Sequence, residues 1–152
     1  MQRRDCSGES RNLYARTQPE ISNQIFAALY WARNGHCRKA ADLAEHLKSK
    51  LFEKEYVDYT NIFNLACVYS RCAEASSDNS QNAPGYGDTA LRVYKKLTPE
   101  FINQNFDTIR KDYDIAWLLE NKTDEINKFH SQNNLPRIVF AAVETKAAKT
   151  SN

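Results

Sequence analysis

Between Ile62 and Leu97 the apolar residues fall on two helical stripes separated by a polar stretch. Ile62, Leu65, Ala66 and Tyr69 recur at the three- and four-residue spacing of one helix face, and Ala90, Tyr94 and Leu97 repeat it after SSDNSQNAPGYG. A small residue on each stripe, Ala66 and Ala90, lets two antiparallel backbones approach closely, and the aromatic one turn later fills the next gap. The pattern predicts a helical hairpin. An earlier pair precedes it. Thr17-Gln18-Pro19-Glu20 is a helix start, with a capping hydroxyl, proline in the first turn and an acid near the positive end of the dipole. This helix is expected to end at Arg33, where Asn34-Gly35 supplies the left-handed turn. A second runs from about His36 to Phe52, with Ala40, Ala44 and Leu47 on one side and Arg38, Lys39, Asp42 and Glu45 mostly on the others. Ala27-Ala28-x2-Trp31 matches Leu65-Ala66-x2-Tyr69 at a period of 38.

The third helix is expected over about Tyr56 to Ala75. The segment 76–87 is rich in Ser, Asn, Gly and Pro and has no apolar face, so it reads as a mobile surface insert. Gly87-Asp88-Thr89 caps a fourth helix from Asp88 to Leu97. Thr98-Pro99-Glu100 opens a short helix through Asn103, and several brief helices follow to Phe129. Trp117, Leu118 and Phe129 are the residues expected to cover the apolar end of the second hairpin. Residues 1–16 form a flexible arm, 17–131 the helical domain and 132–152 a tail. The tail's apolar patch, Ile138–Val143, is equally compatible with a helix, a docked strand or an extended arm.

The chain has 152 residues, enough for one domain with a real core. Its four glycines and four prolines leave few places for strand turns, which favours an all-α chain. Twenty-one basic residues stand against 19 acidic ones, in small groups such as Arg38–Lys39 and Lys95–Lys96 with acids between them. A nucleic-acid binder carries a basic stripe, so that partner is not expected. Cys6, Cys37, Cys67 and Cys72 show no zinc spacing and suit free thiols in a reducing cytoplasm. No apolar run reaches the roughly eighteen residues needed to cross a bilayer, and residues 1–18 lack the apolar core of a signal peptide.

The spacing Ile62-x2-Leu65-Ala66-x2-Tyr69 followed by Ala90-x3-Tyr94 resembles the tetratricopeptide repeat (TPR), whose signature is W-x2-L-G-x2-Y and then A-x3-F. The first copy departs from it at Gln24. Its period of 38 exceeds the usual repeat of about 34 by one helical turn, which suits an extended second helix. FNLACVYS, the insert, ALRVYKKL and IRKDYDIAWLLENKTDEINKF together resemble the C-terminal TPR region of bacterial serine/threonine protein kinases, over roughly Ile21 to Phe129. There a segment of the form L-R-x-D-x-D-L-x-x-L closes the array. Here it is Ile109-Arg110-Lys111-Asp112-Tyr113-Asp114-Ile115 with Leu118, with Tyr113 where proline is usual. The resemblance implies an all-α, TPR-like hairpin array of two helix pairs plus C-terminal capping helices, and a domain that docks other proteins. Kinase activity is not implied, since G-x-G-x-x-G, H-R-D and D-F-G are all missing.

Candidate chemistry is sparse. Asp112 and Asp114 suit the positive end of a short helix better than a metal site. His36, His46 and His130 have no metal-ligand spacing, and no G-x-S-x-G elbow marks a nucleophile. Trp31 and Trp117 read as core anchors. Neither an enzyme, a metal nor a cofactor is expected. In TPR arrays the stripe beside the packing stripe faces the concave groove. Here it is Ile25, Leu29 and Arg33, repeated 38 residues on as Phe63, Cys67 and Arg71. The four apolar members would form a floor, and the two arginines would hold an acidic group of a partner peptide or domain. The alternatives are that the arginines pair with nearby acids of this chain, and that the chain is a non-catalytic regulatory or self-associating domain related to a kinase accessory region.

Overall fold

The computed structural model describes residues 6–53, 57–76 and 85–139, with side chains from Glu20 onward. Among the described residues the chain is all-helical, with no strand. Helices α1 (Cys6–Arg33) and α2 (Cys37–Phe52) pack on each other. Ala28, Ala40 and Ala44 are fully buried, as close backbone approach requires. Gly35, at φ 81°, makes the turn between them. His36 N–H donates to Trp31 O at 2.9 Å and Gly35 N–H to Ala32 O at 3.2 Å, the paired bonds that close a helix on a left-handed residue. The expected stop at Asn34-Gly35 is therefore present. The start differs, because α1 begins at Cys6 rather than Thr17 and carries Pro19 inside it. Proline removes one main-chain bond, but Glu9 to Arg16 contains neither glycine nor proline and continues the helix.

Helix α3 (Tyr59–Ser76) lies at the centre and touches α1, α2, α4 and α6. Asp58 fixes its start, since Oδ1 accepts from Thr60 N at 3.0 Å and Asn61 N at 3.3 Å. Ile62, Phe63, Leu65, Val68 and Tyr69 are all buried, and burying each is worth about 1.5–3 kcal/mol. Packing rather than propensity holds this β-branched, aromatic helix. Helix α4 (Tyr86–Tyr94) lies against α3 with Ala66 and Ala90 both fully buried. Its N-cap is Gly85 in the left-handed region, so Gly87 is not needed for capping. Gly87 serves another contact: a Cβ there would come within 2.6 Å of Trp117 Cη2 and Cζ3. The indole occupies the space that glycine leaves. Residues 77–84 of the expected mobile insert lie outside the described residues. Of its remainder, Ser76 ends α3 and Tyr86 packs half-buried against the core.

Three further helices form a layer beyond the second hairpin: α5 (Pro99–Lys111), α6 (Ala116–Asn121) and α7 (Thr123–Gln132). Thr98 caps α5 by accepting from Phe101 N at 3.2 Å, with Pro99 in the first turn, as expected. The helix runs well past Asn103, because Ile102 and Ile109 are buried two turns apart and keep one face on the core. Leu118 and Leu119 of α6 are buried, and Ser70 of α3 accepts from Leu118 N at 3.1 Å, satisfying one of the open N–H groups of that short helix. Phe129 meets Tyr94 edge-on. His130 is fully buried. Its Nδ1–H donates to Pro136 O at 2.6 Å, which leaves Nε2 to accept from the Tyr94 hydroxyl at 2.8 Å. Asn134, at φ 55°, closes α7 with Leu135 N donating to His130 O at 2.8 Å. Beyond it the backbone is irregular to Val139. Ile138 is buried and held on both sides by the Asn127 amide, which accepts from its N–H at 2.7 Å and donates to its carbonyl at 3.2 Å.

Two measurements check this packing. Ala66→Leu should overpack the approach of α3 and lower stability by about 1–3 kcal/mol, read as a fall in the urea midpoint. Burial lowers the His130 pKa below its usual value near 6.5, although the Pro136 carbonyl bond opposes this. A depressed folded pKa means that the unfolded chain binds the proton first. This contribution is therefore complete above about pH 6.5 and lost as pH falls through the folded value. Urea midpoints should decline as the pH falls below about 6.5, and His130→Gln should flatten that decline.

Candidate functional site

Four of the six groove residues are inside the protein. Ile25, Leu29, Phe63 and Cys67 are between 0% and 7% exposed, so the expected apolar floor is part of the core rather than an open surface. The physical cause is direct packing of α1 on α3 together with the segment that joins α5 to α6. The charges of Asp112, Asp114 and Arg33 all reach the Cys67 thiol, which places that segment beside it. Burial, with the two aspartates, pushes this thiol well above its ordinary pKa, so it stays protonated and is no nucleophile. Burial and then the Glu45 carboxylate likewise raise the Tyr69 phenol, which donates to Glu45 at 2.6 Å.

The two arginines do converge, as their equal register predicts, but on a carboxylate of their own chain. Arg33 Nε donates to Asp114 Oδ1 at 2.9 Å and Arg33 Nη2 to Oδ2, a bidentate pairing across 81 positions of sequence. Arg71 Nε lies 3.5 Å from the same Oδ1, and its Nη1 is 2.9 Å from Glu74. The Asp114 hydrogen bond, partly offset by desolvation, raises the Arg33 pKa. Side-chain exposure falls from 49% at Arg33 and 26% at Arg71 to 11% at Asp114. The carboxylate is held inward while Arg33 keeps half its surface in solvent.

Asp112 and Asp114 therefore do not cap α6, which starts after Ile115 with no side-chain cap bond. Asp112 ends α5, and its Oδ1 accepts from Asp114 N at 2.8 Å. This Asx turn aims Asp114 at the arginines and leaves Tyr113 exposed. The pattern D-x-D was visible in the sequence. Its partners were not, because Arg33 and Arg71 belong to α1 and α3, far earlier in the chain. Among the described residues no group of three or more His, Cys, Asp or Glu side chains could hold a metal ion.

A second surface lies at the turn between α1 and α2. Tyr30, Trp31, Asn34, His36 and Lys39 line an open cleft of about 260 Å³. Trp31, expected as a core anchor, is only half-buried, and the Lys39 ammonium stands 4.1 Å from its ring centroid. Phe26 and Tyr30 are 57% and 63% exposed on the same helix.

Comparison of the chain with protein-family models, with curated proteins and with solved structures gives no match. Asp114→Ala should lower stability by about 1 kcal/mol, because it removes the bidentate partner of Arg33 and one of the two acidic partners of Arg71. Urea unfolding checks this, and an unchanged midpoint would reduce the triad to a surface ion pair.

Proposed function

We propose that the chain is a TPR-like protein-interaction module that binds an acidic or amphipathic peptide, or a domain presenting one, along α1 and α3. One observation carries the proposal. Guanidinium groups from equivalent positions of two repeated helices, Arg33 and Arg71, meet at a single carboxylate. Further support comes from the packing order, in which α1 lies on α2, both lie on α3, and α3 lies on α4, with Ala28 and Ala66 fully buried at the same register. This is the order of two stacked hairpins in a helical array. The resemblance to the C-terminal TPR region of bacterial kinases favours a scaffolding role in the cytoplasm. No helix among the described residues is long and apolar enough to cross a membrane.

With the apolar floor closed, a partner would meet the rim of the groove. The outer half of Arg33 is then its principal contact, and Asp114 stands where the first carboxylate of a ligand would otherwise lie. A second reading, self-association through an exposed face, is favoured by Phe26 and Tyr30. Sedimentation equilibrium tests the second reading, which needs a dimer.

The test uses Arg33→Gln, which leaves Arg71 on Asp114 and so spares most of the fold. Capture of the partner from the native host by the full chain should fall about tenfold, equivalent to about 1.4 kcal/mol, with helicity unchanged. Undiminished capture by a folded Arg33→Gln protein would move the binding face elsewhere.

A further inference from the structure

The 38-residue period relates an open surface, separate from the two arginines, to a covered one. Tyr30, Trp31 and Asn34 of α1 stand 38 positions before Val68, Tyr69 and Cys72 of α3. All three α3 residues are at most 2% exposed. Helix α2 covers the latter two: the Tyr69 hydroxyl donates to Glu45 at 2.6 Å, and the Cys72 thiol meets the Cys37 carbonyl at 3.7 Å. On α1 the same three positions line the open cleft with His36 and Lys39, and Tyr30 is mostly exposed.

We propose that this flank of α1 is a seat for an amphipathic helix of another polypeptide, lying as α2 lies on α3, with a carboxylate directed at Lys39. The α2–α3 contact supplies the template. There a carboxylate of the covering helix, Glu45, meets the hydroxyl of the aromatic at this register. On α1 that aromatic is Trp31, with the Lys39 ammonium over its ring, and the cleft lining contains an imidazole and an ammonium but no carboxylate. A carboxylate arriving at the position of Glu45 thus meets a cation. Aliphatic side chains of the same helix would cover Tyr30 and Phe26, in the manner of a helix laid in a groove. The chain's own α2 is a poor occupant from a second copy, since Arg38, Lys39, Lys48 and Lys50 would bring like charge to the seat.

The probe is a synthetic peptide with the sequence of α2 in which Cys37 is serine and Arg38, Lys39, Lys48 and Lys50 are glutamate. It keeps Ala40, Ala41, Ala44, Leu47 and Leu51 on its buried face. Calorimetric titration into the full chain should give saturable one-to-one binding. Tyr30→Ser or Lys39→Glu in the protein, each with unchanged helicity, should weaken it at least about tenfold. Arg33→Gln should leave it unchanged, which separates this seat from the arginine groove. The peptide with its basic residues restored should bind at least about tenfold more weakly. The proposal is overturned if the acidic peptide does not saturate or binds both seat variants as tightly as the unaltered protein. It is equally overturned if the protein alone self-associates and Tyr30→Ser makes it monomeric, since a second copy would then be the occupant.

Discussion

A helix that is apolar on nearly every face has to be surrounded, and α3 imposes that requirement on the rest of the chain. From Asn61 to Ser70 all but one of its residues are buried. Helices α1, α2 and α4 cover most of its circumference, and α6 takes what they leave. The cover also has to satisfy the polar groups that α3 carries inward. Ser70 accepts the Leu118 N–H, Asn61 bonds Ser22 and Asp58, and Tyr69 reaches Glu45. The bonds to Leu118, Ser22 and Glu45 each fix a covering helix at one height along α3, which nonspecific apolar contact alone would not do.

The layer after Leu97 is therefore part of the domain's core and not an appendage. Trp117 rests on Gly87, Phe129 and His130 stack around Tyr94, and Ile138 is clamped by Asn127. The same layer delivers Asp114 to Arg33 and Arg71. The two arginines are in this way partnered from within the chain. The Asx turn at Asp112 sets the geometry of the Asp114 carboxylate. The cleft at Tyr30 and Trp31 is lined by His36 and Lys39 with no carboxylate among its lining residues, whereas the arginine pair already holds Asp114.

Much of the architecture is legible in the spacing of apolar residues. The stripes through Ala28 and Ala66, the stop at Asn34-Gly35 and the cap at Thr98-Pro99 are local signals, readable because a helix repeats every 3.6 residues and its ends need particular side chains. They determine the helical class, the existence of α1 to α5 and the shared register of Arg33 and Arg71. What spacing cannot determine is which distant group takes each face. Ile25 and Cys67 look like a groove floor by register and are core by contact. Gly87 looks like a cap and is the seat of an indole. Asp114 looks like a helix-start acid and is the ligand of two arginines. Each of these outcomes joins residues 30 to 81 positions apart, and only packing of the whole chain brings such pairs within reach. The sequence by itself determined the helices and the faces they present, because those depend on neighbours a turn away. Only the tertiary structure decided which faces stay open, because that depends on where α5, α6 and the segment between them come to rest.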